Sequence, residues 1–85
     1  MSAPVAFELT VGTTYVRLSS ARLICDCTVW NTSGTNLAYL SVDGGATRAT
    51  LGTRAGTSLR GVNLNDVFVA AAGAGTVVAV IGNTR

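Results

Sequence analysis

Leu23-Ile-Cys-Asp-Cys-Thr-Val-Trp-Asn31 is the stretch whose reading decides the fold. In an extended chain, successive side chains point to opposite faces. Leu23, Cys25, Cys27 and Val29 then share one small apolar face, while Ile24, Asp26, Thr28 and Trp30 share a mixed one. A helix would scatter both sets around its circumference, so the alternation predicts a strand. One side packs into a core and the other meets solvent or a partner.

The same grammar extends in both directions. Upstream, Val5, Phe7 and Leu9 alternate with Ala6, Glu8 and Thr10, which predicts a strand over 5–10. Gly12 turns the chain into a second strand over 14–18, and Ser19–Ala21 connect it to the central one. Downstream, Asn31-Thr-Ser-Gly-Thr-Asn36 is a turn by composition. A fourth strand over 37–42 runs into Asp43-Gly44-Gly45, a strong hairpin signal because such turns need positive φ. A fifth strand is expected over 46–51, a loop over 52–56, and a short sixth strand over 57–60 at a sheet edge. A seventh over 64–70, a turn over 71–75 and an eighth over 76–82 complete the chain. No apolar stripe of helical period persists for three turns. The expectation is a single all-β domain spanning 1–85, a small β-sandwich or jelly-roll-like barrel of about eight short strands.

Val67–Gly82 carries no charge and invites comparison with a membrane span. It falls below the usual minimum of about 17 residues, and Gly73 and Gly75 interrupt it. A β-hairpin buried on both sides accounts for it better, and no membrane partner is expected. Met1-Ser2-Ala3-Pro4 lacks the basic segment and apolar core of a signal peptide.

The chemistry is sparse. There is no His and no Lys, and the four carboxylates, Glu8, Asp26, Asp43 and Asp66, are scattered over different strands and turns. General acid–base catalysis needs positioned titratable pairs, and nothing in the spacing supplies one. Gly73-Ala74-Gly75 lacks the third Gly and the following helix of a phosphate-binding loop. Cys25 and Cys27, at i and i+2 on a strand, have Cα atoms about 6.6 Å apart, at the outer limit for a disulfide. With no His and no further Cys, a zinc site is not expected. The two thiols read as small buried hydrophobes, which suits assembly in a reducing compartment. We therefore expect no enzyme, no metal and no cofactor.

What composition does suggest is adhesion. The 85 residues are 48% hydrophobic and 12% charged, against roughly 25% charged in average domains. A surface poor in charge is easier to bury against another protein. It also suits a monomer whose surface relies on Thr, Ser and Asn. All six basic residues are Arg, a residue enriched at interfaces where Lys is depleted. The net charge of +2 is too small and dispersed for a nucleic-acid footprint. A domain this size has a stability on the order of 4–13 kcal/mol, and small domains often rely on partner subunits. Trp30 and Tyr39 admit three readings: partly buried sheet residues, interface anchors, or a sugar-stacking platform.

Five segments carry a resemblance: Cys27-Thr-Val-Trp-Asn-Thr-Ser-Gly, Ala38-Tyr-Leu-Ser-Val-Asp-Gly-Gly, Gly56-Thr-Ser-Leu, Asn65-Asp-Val-Phe-Val-Ala-Ala-Ala and Val77-Val-Ala-Val-Ile-Gly. Together, over about residues 5 to 82, the chain resembles small β-sandwich structural proteins of tailed-phage virions. These are the head decoration (cement) proteins and the head-proximal domains of capsid fibres. The resemblance implies a homo-oligomer, a trimer above all, bound to the major capsid protein on the virion surface after assembly in the host cytoplasm. Apolar sheet surfaces would then join the subunits, and the segment from Ser2 to Phe7, or one turn-rich end, would touch the capsid. The expected interface residues are Ser2, Pro4, Val5, Phe7, Trp30, Tyr39 and Arg54. The alternative is a carbohydrate- or receptor-binding module of a tail fibre or spike, using Trp30, Tyr39 and the Asn-rich turns.

Overall fold

The computed structural model describes residues 2–85. Eight strands form: β1 (Pro4–Val11), β2 (Val16–Arg17), β3 (Ile24–Asn31), β4 (Ala38–Ser41), β5 (Ala49–Leu51), β6 (Gly56–Asn63), β7 (Phe68–Ala71) and β8 (Thr76–Thr84). They make two four-stranded sheets, ordered β1-β8-β3-β6 and β2-β7-β4-β5. The expected all-β sandwich is present, and this strand order is that of a jelly roll.

The order has a simple origin. Phe7 pairs with Val80, Val16 with Val69, Thr28 with Ser58 and Leu40 with Ala49. Partner numbers thus add to 85–89 in every one of these ladders. The chain is one long antiparallel hairpin, folded about Asp43-Gly44 and then rolled so that its halves pack face to face. Gly44 and Gly45 take φ of +75° and +108° at the tip, whereas Asp43 lacks the positive φ of a two-residue Asp-Gly hairpin, and residues 42–48 form a wider loop instead.

Rolling the hairpin corrects one expectation. Val67–Gly82 is not a hairpin buried on both sides. β7 and β8 lie in different sheets, and the 72–75 turn carries the chain across the sandwich. Only β4 and β5 are consecutive strands paired with each other. Nor is the stretch wholly buried: Val78 and Val80 face the core, whereas Ile81 is 64% exposed. No helix among the described residues is long and apolar enough to cross a membrane.

Several boundaries move for local reasons. β5 begins at Ala49 rather than Ala46, because Ser41 gathers the preceding loop. Its hydroxyl accepts from the Gly45 N–H (2.9 Å) and lies 2.6 Å from both Asp43 Oδ1 and the Thr47 carbonyl. The second and fourth strands are also shorter than expected, and the first is longer. Residues 64–66 form a single 3-10 turn instead of starting a strand. Asn63 Oδ1 caps it, accepting from the Asn65 N–H (3.1 Å) and also from the Leu23 N–H (3.0 Å). β6 is an edge, as expected, but runs through Asn63, because Gly61 (φ +61°) lets a bulge form opposite Asp26 and pairing resume at Val62.

The core lies between the sheets. Cys25, Cys27 and Val29 of β3 meet Val78 and Val80 of β8 on one side, with Ala38, Leu40, Val69 and Ala71 opposite. Both cysteines are free and buried, as the alternation on 23–31 implies. Burial, followed by the neighbouring Cys25 thiol, pushes the Cys27 thiol well above its usual range, which leaves it a poor nucleophile. Gly82 allows the closest backbone approach in the larger sheet. A methyl group there would overlap the Asp26 carbonyl oxygen and the Cys27 Cα.

Candidate functional site

Register places the outward side chains of the larger sheet in rows. Ala6, Ile81, Thr28 and Ser58 lie side by side, and Glu8, Ala79, Trp30 and Gly56 form the next row. The result is a nearly flat apolar surface with a shallow depression of about 550 Å³ around Trp30 and Ile81. Gly56 is what lets the indole lie down, since a methyl there would come 2.6 Å from Trp30 Cε3. Trp30 remains 43% exposed, and Glu8 is the one charged residue of the two rows. An exposed apolar surface with an aromatic anchor is the chemistry of a protein contact.

One edge of this surface carries the molecule's only ion pair among the described residues. Arg85 Nε donates to Asp26 Oδ1 (3.0 Å), and the same oxygen accepts from the Gly61 N–H of the bulge (2.6 Å). The Gly61 hydrogen bond, helped by the Arg85 guanidinium, holds the Asp26 carboxyl below the ordinary carboxylate range. This is local stapling of a strand edge. The other carboxylates belong to different elements: Glu8 to β1, Asp43 to the hairpin tip and Asp66 to the 3-10 turn. Ser41 and the Thr47 N–H engage Asp43 and lower its pKa. Among the described residues no three His, Cys, Asp or Glu side chains gather as a metal site would require.

The outer face of the smaller sheet differs. Arg48 stacks 3.9 Å from the Tyr39 ring centroid, and Arg17 lies 4.8 Å from that of Phe68. The guanidinium groups cover the ring faces that a sugar would need for stacking. A second apolar cleft, about 410 Å³, opens between the sheets where Leu40, Val42 and Ala49 face Thr57, Leu59 and Val62.

The residues singled out from sequence fall into three places. Ser2 and Pro4 are exposed at the start of β1, whereas Val5 is half-buried and Phe7 packs against the core. Trp30 stands on the outer face of the larger sheet and Tyr39 on the outer face of the smaller one, so the two are not brought together. Arg54, with φ +54°, belongs to the loop before β6 and rests its guanidinium against Gly34. Sequence reasoning missed Ile81, Ala79 and Ala6. In Val77-Val-Ala-Val-Ile81 every position is apolar, so alternation cannot show which residues point outward. The one available signal was register with β3, whose outward residue Thr28 pairs with Ile81. A scan against protein-family models matches nothing, and neither does a search of curated proteins.

Proposed function

We propose that this chain is a non-enzymatic structural protein of a virion, which self-associates and decorates a capsid surface. The observation that carries the reading is the flat apolar part of the larger sheet's outer face, where Trp30 and Ile81 are open to solvent and Glu8 is the one charge in their two rows. Such a face suits a broad protein contact better than a small ligand, which would want an enclosed pocket. The jelly roll is a fold of viral capsid proteins as well as of lectins. Fold alone does not assign function, so the fold adds to the resemblance without replacing the site argument. The carbohydrate reading has less to rest on, because Trp30 and Tyr39 stand on opposite outer faces and Arg48 covers the Tyr39 ring.

The test is co-sedimentation with shells assembled from purified tailed-phage major capsid protein. The wild-type chain should pellet with the shells, and Trp30→Ser or Ile81→Ser should remain in the supernatant with an unchanged circular dichroism spectrum. Binding that is indifferent to both substitutions would remove the outer face from the proposal. A chain that binds no shell, yet scores on a glycan array, would replace the reading with the carbohydrate one.

A further inference from the structure

The four sheet edges are not equally protected. β2 has two residues and β5 three, too short to template another strand. The bulge at Arg60–Gly61 breaks β6 into two short runs and twists them, and Arg60, Asp26 and Arg85 crowd that point. β1 is the exception. It pairs with β8 from Pro4 to Val11 with no shift in register, carries Glu8 as its one charge, and has no strand on its other side.

The hydrogen bonds tell which groups β1 leaves open. Thr84 N–H donates to the Ala3 carbonyl (2.8 Å). Backbone groups alternate sides along a strand, so Val5, Phe7, Leu9 and Val11 also turn theirs to β8. Pro4, Ala6, Glu8 and Thr10 turn theirs to the free edge, where the missing N–H of Pro4 costs no ladder bond. The inward side chains of β1 are incompletely covered too. Val5, Phe7 and Leu9 are half-buried, while Val78 and Val80 beside them are almost wholly buried. The smaller sheet, with strands of two to four residues, does not reach far enough to cover an eight-residue edge strand.

We propose that β1 is a self-association edge, which pairs antiparallel with β1 of a second copy about a twofold axis at Phe7. In that register Ala6 exchanges both backbone hydrogen bonds with Glu8 of the second copy, and Thr10 donates to the second copy's Pro4 carbonyl. The two Phe7 rings come directly opposite each other on the inner side, a favourable cross-strand pair. Centring on Glu8 instead would set two carboxylates face to face, and centring on Ala6 would spend a central position on Pro4. The closed twofold contact uses the same patch on both copies, the commonest symmetry of small oligomers. It replaces the trimer implied by the resemblance. It also joins the two larger sheets into one eight-stranded sheet, with two Trp30 patches about 24 Å apart at normal strand spacing. The pairing stands on the edge alone; that the doubled face then grips a shell bivalently rests on the proposed function.

Sedimentation equilibrium tests the pairing at about 100 μM, since an edge-only interface belongs to the small, weak class. The expected mass is that of two copies. Glu8→Pro should give the mass of one copy with an unchanged urea midpoint, because the N–H it removes points to the free edge. A second arm does not depend on that variant folding. In the proposed register the two Glu8 side chains are diagonal neighbours about 7–8 Å apart. Isotope-labelled Glu8→Lys mixed with wild type should therefore form heterodimers above their statistical share in native mass spectra. A wild-type mass of one or three copies, a dimer that survives Glu8→Pro, or statistical mixing would each overturn the proposal. Shell binding is read separately by co-sedimentation, so its loss in an intact dimer would fault the capsid reading and leave the edge pairing standing.

Discussion

Replacing Asn31 by Ala should cost this domain a large part of its stability. The side chain is fully buried at the end of β3. Its Nδ2 donates to the Asn36 carbonyl (2.8 Å) and the Gly52 carbonyl (3.1 Å), and its Oδ1 accepts from the Ser33 N–H (3.1 Å). One amide therefore ties the central strand to the 32–36 turn and to the loop between β5 and β6. The turn is tied onward in turn, because Asn36 Nδ2 donates to Thr76 Oγ1, whose hydroxyl donates to the Gly73 carbonyl. Alanine would leave two carbonyls and an N–H without their partner. An unpaired buried group costs about 1–3 kcal/mol, and water entering from the nearby turn relieves part of this, so we expect a loss of roughly 3 kcal/mol overall. Against a total on the order of 4–13 kcal/mol, that is a quarter of the stability or more. Urea denaturation, followed by circular dichroism and by Trp30 fluorescence, should show a midpoint lower by roughly 1–3 M. The melting temperature should fall by roughly 12–24 °C for a domain of this size. Low protein concentration keeps self-association from contributing. Asn31→Asp supplies the internal control. It keeps the shape but sets a carboxylate against two carbonyl oxygens, which raises the folded-state pKa of the new group above its unfolded value. Its stability should therefore be best below about pH 4 and fall as pH rises through the raised pKa. A loss under about 0.5 kcal/mol for Asn31→Ala, the range of an ordinary surface substitution, would refute the reasoning by showing that this end of the sandwich is already open to water.

Two further outcomes follow from the larger sheet. Gly82→Ala should destabilise by roughly 2–4 kcal/mol, because its methyl overlaps backbone of β3 rather than a movable side chain. Gly52→Ala, whose methyl would meet nothing closer than 3.9 Å, should lie within about 0.5 kcal/mol of wild type; equal effects at the two sites in chemical denaturation would defeat the close-approach argument. Asp26 titrates in the opposite sense to the carboxylate introduced at Asn31. Its folded pKa is depressed by the Gly61 N–H and the Arg85 guanidinium, so its contribution is present above about pH 4 and lost as pH falls through the folded value. Stability–pH curves for Asp26→Asn and wild type should separate near neutrality and converge in acid, and parallel curves would show that the bulge staple adds nothing.

How much of this was legible beforehand depends on the kind of information each feature needs. Leu23–Asn31 declared its own faces, and burial follows them at Cys25, Cys27, Val29 and Trp30. Asp43-Gly44-Gly45 declared a turn. What it could not declare is that this turn is the midpoint of the whole chain's pairing, because a turn signal is local and says nothing about residues forty positions away. Asn31 was legible as a turn residue, but its burial depends on the Gly52 loop arriving from the other half of the hairpin. The candidate surface was half visible. Trp30 stood out, whereas Ile81 was hidden in a run apolar at every position.

The sequence by itself determined that this chain makes strands and that its thiols face inward on β3. Those are properties of composition and of a two-residue period, both readable without partners. Only the tertiary structure decided that β7 and β8 part to opposite sheets, that Ile81 joins Trp30 on an open face, and that β1 is left as the unguarded edge. The physical reason is that alternation fixes which way a side chain points relative to its own strand, whereas sheet order and edges are fixed by which strands close the long hairpin when it rolls. That closure is a global packing solution, and no single segment carries it.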